Sequence, residues 1–205
     1  DGSQATGRLT VDATAFGGVQ GVVITGGAAI DVLTGGDQAD QIIGGAGNDT
    51  IDGEGGIDIL TGGAGADTFT IVSTEAAANG STFESITDFQ VGSDLIDLNG
   101  TALVLSTDAS SSAATGNAAI NAEGIASFVT GDDTLAEKIA AVNAALEAGA
   151  EASGQIAVFE HAGDSFVYIY DDTADTVAAE DSVIQLIGVT GLTNTTITGG
   201  DLTIA

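Results

Sequence analysis

The stretch GGAAIDVLT, GGDQADQII, GGAGNDTID, GEGGIDILT, GGAGADTFT fills residues 26–70 with a period of nine. Position one is glycine in all five copies: Gly26, Gly35, Gly44, Gly53 and Gly62. Position six is aspartate: Asp31, Asp40, Asp49, Asp58 and Asp67. Position eight is large and apolar: Leu33, Ile42, Ile51, Leu60 and Phe69. Self-similarity at a fixed period marks a solenoid. The glycines permit tight turns and positive φ. The residues around position eight predict a short strand whose position-eight side chain points inward. One repeat makes half a coil, so loops two repeats apart stack on one edge. Asp31, Asp49 and Asp67 share one edge; Asp40 and Asp58 share the other. Stacked carboxylates repel one another. A divalent ion between loops, held by two aspartates and turn carbonyls, relieves that repulsion with the oxygen-rich shell calcium takes. A metal-free turn array would not need aspartate at position six every time.

The rest of the composition agrees. The 205 residues carry 30 Asp and Glu against 2 Lys and Arg, for a net charge of -28. With Arg8 and Lys138 the only such cations, no basic face can hold nucleic acid or an anionic membrane. No cysteine means no disulfide, thiolate site or cysteine nucleophile, and the single His161 excludes multi-histidine zinc sites. No window approaches a membrane-spanning apolar run. The acidity is not that of a disordered tail, because 43% of residues are hydrophobic and the mean hydropathy is +0.32. Thirty carboxylates therefore need compensation from outside the chain, and oxygen ligands favour hard ions. The chain opens at Asp1 without a charged-then-apolar leader, which reads as a fragment or processed product.

The nonapeptides resemble the GGxGxDxUx repeats of the RTX family, bacterial proteins exported by type I secretion. The resemblance implies a mainly β fold, a parallel β-roll with calcium between successive turns. In that family, carbonyls at positions one and three of one loop join carbonyls at positions two and four of the stacked loop, plus both aspartates. Carried over, a first site uses Gly26, Ala28 and Asp31 with Gly45, Gly47 and Asp49. A second uses Gly35, Asp37 and Asp40 with Glu54, Gly56 and Asp58. A third uses Gly44, Ala46 and Asp49 with Gly63, Gly65 and Asp67. Calcium is thus the expected cofactor, with at least three ions. Ala29 and Gln38 at position four, and Glu54 at position two, depart from the glycine pattern and resist the turn conformation. That leaves the third site the most regular.

Residues 1–25 read as a degenerate, mostly metal-free extension of the roll. Leu9-Thr10-Val11 and Val22-Val23-Ile24 look like strands, and Val22 stands where aspartate should be. Residues 26–105 read as the calcium-binding roll with capping strands. The stretch SITDFQVGSDLIDL resembles the segment that caps RTX rolls, and by that resemblance Asp88 completes a terminal calcium site with Gly62, Ala64 and Asp67. Residues 106–205 read as a β-rich cap. Within it, 106–131 is a Ser/Ala/Thr/Gly/Asn-rich loop or insertion. Residues 134–148 predict one helix, with Thr134 and Glu137 in a capping-box pattern and Leu135, Ile139, Val142 and Leu146 on one face. GQIAVFEH and DSFVYIYDD predict a hairpin, with His161 at its turn, and DSVIQLIGV a third strand. The acidic stretch 171–181 is a solvated loop or an extra weak ion site. The C-terminal part resembles the ends of RTX surface-layer proteins, and DLTIA is similar to an uncleaved type I secretion signal.

These readings converge on a calcium-dependent folding module of a secreted surface protein that assembles with copies of itself into an S-layer or matrix. Expected partners are calcium, other copies, the type I secretion machinery during export, and cell-surface polysaccharide. The alternatives are the C-terminal secretion domain of an RTX protease or lipase, or the end of an adhesin. No HExxH or GxSxG occurs, and Ser165 and Ser182 have no base beyond His161, so no catalytic activity is expected.

Overall fold

In the computed structural model, residues 1–16, 20–71, 83–98, 104–105, 118–121, 124–128, 134–148, 155–170, 182–198 and 201–205 are described. The readings on residues 72–82, 106–117 and 171–181 lie outside them. The repeat region is built from β1 (Thr10–Asp12), β2 (Val23–Thr25), β3 (Val32–Gly36), β4 (Gln41–Ala46), β5 (Thr50–Glu54), β6 (Ile59–Ala64) and β7 (Thr68–Thr70), followed by β8 (Glu84–Ile86) and β9 (Leu95–Asp97). Odd and even strands fall into two parallel sheets, because each nonapeptide turns the chain through half a coil. The first sheet keeps Val11, Leu33, Ile51, Phe69 and Ile96 in register. The second aligns Ile24, Ile42, Leu60 and Ile86. In each strand the position-eight side chain points between the sheets and its neighbours point out, as alternation dictates. Leu33, Ile42, Ile51, Leu60 and Phe69 are fully buried.

The C-terminal part continues the same two sheets. It contributes β10 (Val104–Leu105), β11 (Ala119–Ile120), β12 (Ala126–Ser127), α1 (Leu135–Ala148), β13 (Gln155–His161), β14 (Asp164–Tyr170), β15 (Ser182–Leu186), β16 (Thr195–Thr198) and β17 (Asp201–Ile204). The first sheet runs β1-β3-β5-β7-β9-β17-β16 and the second β10-β13-β14-β15-β8-β6-β4-β2. The row of core side chains passes across both junctions: Leu202 lies beside Ile96, and Leu186 beside Ile86. One hydrophobic cluster therefore extends from Ile24 through the repeats to Ile184, Leu186 and Ile204.

The hairpin turns at Ala162 (φ 55°) and Gly163 (φ 99°), the left-handed pair a two-residue connection requires. His161 ends β13, partly exposed, with its ring 6.5 Å from that of Phe166. The helix starts as the capping box predicts: Thr134 N–H donates to Glu137 Oε2 at 2.9 Å, and Glu137 N–H to Thr134 Oγ1 at 3.3 Å. Its buried face, Ile139, Val142 and Leu146, covers Phe159, Phe166 and Tyr168 in a second cluster. Tyr168 Oη donates to Asn143 Oδ1 at 2.7 Å, which satisfies both buried groups. The loop expected over 106–131 needs correcting where it is described. Ala119–Ile120 and Ala126–Ser127 pair antiparallel. Asn121 Oδ1 accepts the Ile125 N–H at 2.8 Å, a side-chain bond across the connection that a reading of composition overlooks.

The inward row predicts a sharp contrast between neighbours. Leu60→Ala should lower unfolding stability by about 2–5 kcal/mol. Ile59→Ala, on the exposed side of the same strand, should change it by no more than about 0.5 kcal/mol. Denaturant titration of both variants in calcium checks this.

Candidate metal centre

The position-six aspartates are all buried. Each places one carboxylate oxygen on the main chain one coil earlier. Asp67 Oδ1 accepts the N–H of Asp49 at 2.8 Å, and Asp49 Oδ1 that of Asp31 at 2.8 Å. Asp31 Oδ1 accepts the Leu9 N–H at 2.7 Å. On the other edge Asp58 Oδ1 accepts the Asp40 N–H, and Asp40 Oδ1 the Val22 N–H, each at 2.7 Å. The two ladders continue past the repeats on residues the period does not mark. Asp94 Oδ1 accepts from Asp67 N–H at 3.0 Å. Glu84 Oε2 accepts from Asp58 N–H at 3.2 Å. Asp94 ends an irregular loop, and Glu84 is not an aspartate, so only their neighbours' register could have revealed them.

The second oxygen divides the aspartates. Asp31 Oδ2 accepts the Gly27 N–H and Asp40 Oδ2 the Gly36 N–H, both at 2.7 Å. Asp49, Asp58 and Asp67 each bury an Oδ2 with no hydrogen-bond partner. The backbone explains the division. Loops 44–49, 53–58 and 62–67 take positive φ at positions two and four: Gly45 114°, Gly47 131°, Glu54 62°, Gly56 128°, Gly63 101° and Gly65 147°. Loops 26–31 and 35–40, with Ala29 and Gln38 at position four, do not. Where position two is turned over, its N–H goes elsewhere: Glu54 N–H to Asp52 Oδ1, Gly63 N–H to Asp88 Oδ2. A Cβ on Gly44, Gly53 or Gly62 would strike the Oδ2 of the same repeat's aspartate, which is why position one is glycine.

The structure stacks the expected loops, with Gly36 beside Glu54, Gly45 beside Gly63 and Ala46 beside Ala64. It reverses the expected carbonyl pairing. Successive carbonyls of extended chain point to opposite neighbours. Those of Gly44, Gly53 and Gly62 point back at the preceding coil, as does Ala64 O, which accepts from Gly47 N–H at 2.8 Å. Position-two carbonyls point forward: Gly27 O accepts from Ala46 N–H and Gly36 O from Gly55 N–H, each at 2.9 Å. Ala29, Gln38, Gly45 and Gly47 carbonyls also face the next coil. The first gap is therefore faced by Gly27 and Ala29 with Gly44, not by Gly26 and Ala28 with Gly45 and Gly47. The second is faced by Gly36 and Gln38 with Gly53, not by Gly35 and Asp37 with Glu54 and Gly56. The third is faced by Gly45 and Gly47 with Gly62 and Ala64, not by Gly44 and Ala46 with Gly63 and Gly65. Asp88 sits over the last loop, where its Oδ1 and Oδ2 accept the N–H groups of Gly62 and Gly63 at 2.8 Å.

Burial raises the proton affinity of Asp49, Asp58, Asp67 and Asp94. It pushes Asp58 up to about 7, with Asp40 and Asp52 adding repulsion. It pushes Asp67 up to about 6, with Asp94, Asp49 and Asp88 adding. Asp49 and Asp94 are raised too, for the same first reason. Among the described residues no three acidic or imidazole side chains converge on one point. A site here is made of main-chain carbonyls with one or two carboxylates. Hard neutral and anionic oxygens, together with buried oxygens lacking a partner, fit calcium.

The stacked coils and aspartate-lined loops define a calcium-binding β-roll. The family described as RTX calcium-binding nonapeptide repeat (4 copies) matches residues 25–60 and 43–70. Residues 25–70 thus carry RTX calcium-binding nonapeptide repeats, a kind of repeat that occurs in secreted bacterial proteins. Among solved structures it is similar to the AlgE6R3 subunit of the Azotobacter vinelandii mannuronan C5-epimerase. The identity is 26% and the TM-score 0.43, over 87% of this chain and 77% of that one. It is also similar to the AlgE6R2 subunit of the same enzyme, with 22% identity and a TM-score of 0.40, over 81% of this chain and 84% of that one. No curated protein sequence matches the chain. No helix among the described residues is long and apolar enough to cross a membrane.

A pH dependence follows. The folded pKa values of Asp58 and Asp67, about 7 and about 6, exceed the unfolded value of about 3.9. Without calcium, protonation favours the roll. That contribution is complete below about pH 4 and is lost as pH rises through the folded values. Calcium needs the ionised form, so its effect has the opposite sign. The rise in Tm on adding calcium should be larger at pH 8 than at pH 5, and the chelated protein should melt higher at pH 5 than at pH 8. Thermal scans at both pH values measure this.

Proposed function

We propose that the chain is the calcium-dependent folding and structural module of a type I secreted bacterial surface protein, which assembles with its own copies into an S-layer or extracellular matrix. The observation that carries the calcium dependence is the set of buried, partnerless oxygens on Asp49, Asp58 and Asp67. An ionised carboxylate left unpaired in the interior costs several kcal/mol. With a net charge of -28, the metal-free chain is also opposed by self-repulsion. Binding to the folded state alone then becomes folding free energy. Extracellular calcium modules work at roughly 10⁻⁴–10⁻³ M, so the chain stays loose enough for export in a low-calcium cytosol and compacts outside. The absence of proline removes slow isomerisation from that step.

Assembly is supported by the outer face of the first sheet. There Asp12, Thr34, Asp52, Thr70, Asp97 and Asp201 stand in one row across six strands. Two such acidic faces repel unless divalent ions bridge them. The role is non-catalytic, and calcium-bridged copies, with surface polysaccharide as an anchor, are the partners.

Removing calcium with a chelator should reduce β-type circular dichroism and enlarge the hydrodynamic radius, and restoring millimolar calcium should reverse both. Electron microscopy at millimolar calcium should show ordered assemblies. Unchanged dichroism and radius on chelation sink the folding role. Monodisperse protein at millimolar calcium sinks the assembly role alone.

A further inference from the structure

Seven aspartates line the two edges, with Glu84 ending the second ladder, and the aspartate oxygens fall into two sets. Both oxygens of Asp31, Asp40, Asp88 and Asp94 accept main-chain N–H groups. For Asp31 the donors are Leu9 and Gly27, and for Asp40 they are Val22 and Gly36. For Asp88 they are Gly62 and Gly63, and for Asp94 they are Asp67 and Gln90. Asp49, Asp58 and Asp67 each have one N–H donor and one buried oxygen with none. These three are 0–1% exposed, so bulk solvent does not reach them. The sets are ordered in space. The doubly capped aspartates flank the others, Asp31 and Asp40 towards the N-terminus, Asp88 and Asp94 at the far end of one edge.

The forward carbonyls repeat the pattern. In the last nonapeptide, Gly63 O accepts from Gln90 Nε2 at 2.8 Å and Gly65 O from Ser93 Oγ at 3.2 Å. Side-chain donors of the 88–94 loop thus meet the carbonyls that in the earlier gap, those of Gly45 and Gly47, face carbonyl oxygens of Gly62 and Ala64. A cation draws oxygens together, whereas a donor satisfies them one by one.

Resting on the calcium reading above, we infer that metal is held only by Asp49, Asp58 and Asp67, and that Asp31, Asp40, Asp88 and Asp94 are metal-free stops. The main-chain amides supply at these stops the positive charge that calcium supplies between them. The 88–94 loop is a plug that ends its edge of the ladder without an ion, Gln90 and Ser93 acting as its donors. The wider ligand set implied by resemblance, which gives Asp31, Asp40 and Asp88 to the metal, shrinks accordingly.

Native mass spectrometry of the full chain in calcium counts the ions. Asp49→Asn, Asp58→Asn and Asp67→Asn should each lose at least one relative to the unaltered chain. Asp31→Asn, Asp40→Asn, Asp88→Asn and Asp94→Asn should each keep the full number while melting lower. Loss of an ion from any of the second group overturns the inference. Crystals of the unaltered chain soaked in terbium locate the ions directly, independently of whether a variant folds. Anomalous density between loops 62–67 and 88–94 overturns the plug, and density confined to the gaps preceding it supports it. An unaltered chain that binds no ion at all defeats the calcium reading itself. An ion bound at a doubly capped aspartate defeats only the division made here.

Discussion

The hydrogen bond that a buried carboxylate accepts from the N–H of the residue one coil earlier fixes most of this molecule. It sets the pitch, because each aspartate must reach back to its predecessor. It demands glycine at position one, whose Cα lies under the second oxygen. It brings negative charge into an interior with no Lys or Arg to meet it. The rest of the edge then has two solutions. Either the loop lends an amide to the second oxygen, as at Asp31 and Asp40, or the loop turns its position-two amide away and leaves that oxygen without a donor, as at Asp49, Asp58 and Asp67.

The C-terminal part belongs to the same construction. Strands β17 and β16 extend one sheet and β15, β14, β13 and β10 the other, so the core of the roll is closed by continued pairing at that end. The switch from parallel to antiparallel neighbours lets short connections replace the coil. It also gives β13–β15 a second buried face, which the helix covers through Ile139, Val142 and Leu146.

Much of this could be read from residues. Gly at one, Asp at six and a large apolar side chain at eight settle coil, edge and core, because each is a steric or electrostatic necessity of the coil. The helix was legible from Thr134, Glu137 and its apolar face. What escaped depends on direction, not identity. Which neighbour a carbonyl faces cannot be taken from a repeat letter, and the expected ligand pairing was reversed for that reason. Asp94 and Glu84 escaped because the bonds that define them join residues 27 and 26 positions apart, outside the period. Asp88 stands out in the sequence only as a carboxylate in the capping stretch. Its two N–H donors from Gly62 and Gly63 appear only once the loops are stacked.

The alternation of sheets gives the gene a phase. A change in length by two nonapeptides adds or removes a whole turn and leaves every downstream strand in its own sheet. A change by one swaps left for right. The carboxylates of each later loop would then answer to the opposite edge, and β9 and β8 would meet the wrong halves of the cap. Variation in the size of such a roll is therefore quantised in pairs, and a lineage that drifts by a single unit must rebuild its ending to match.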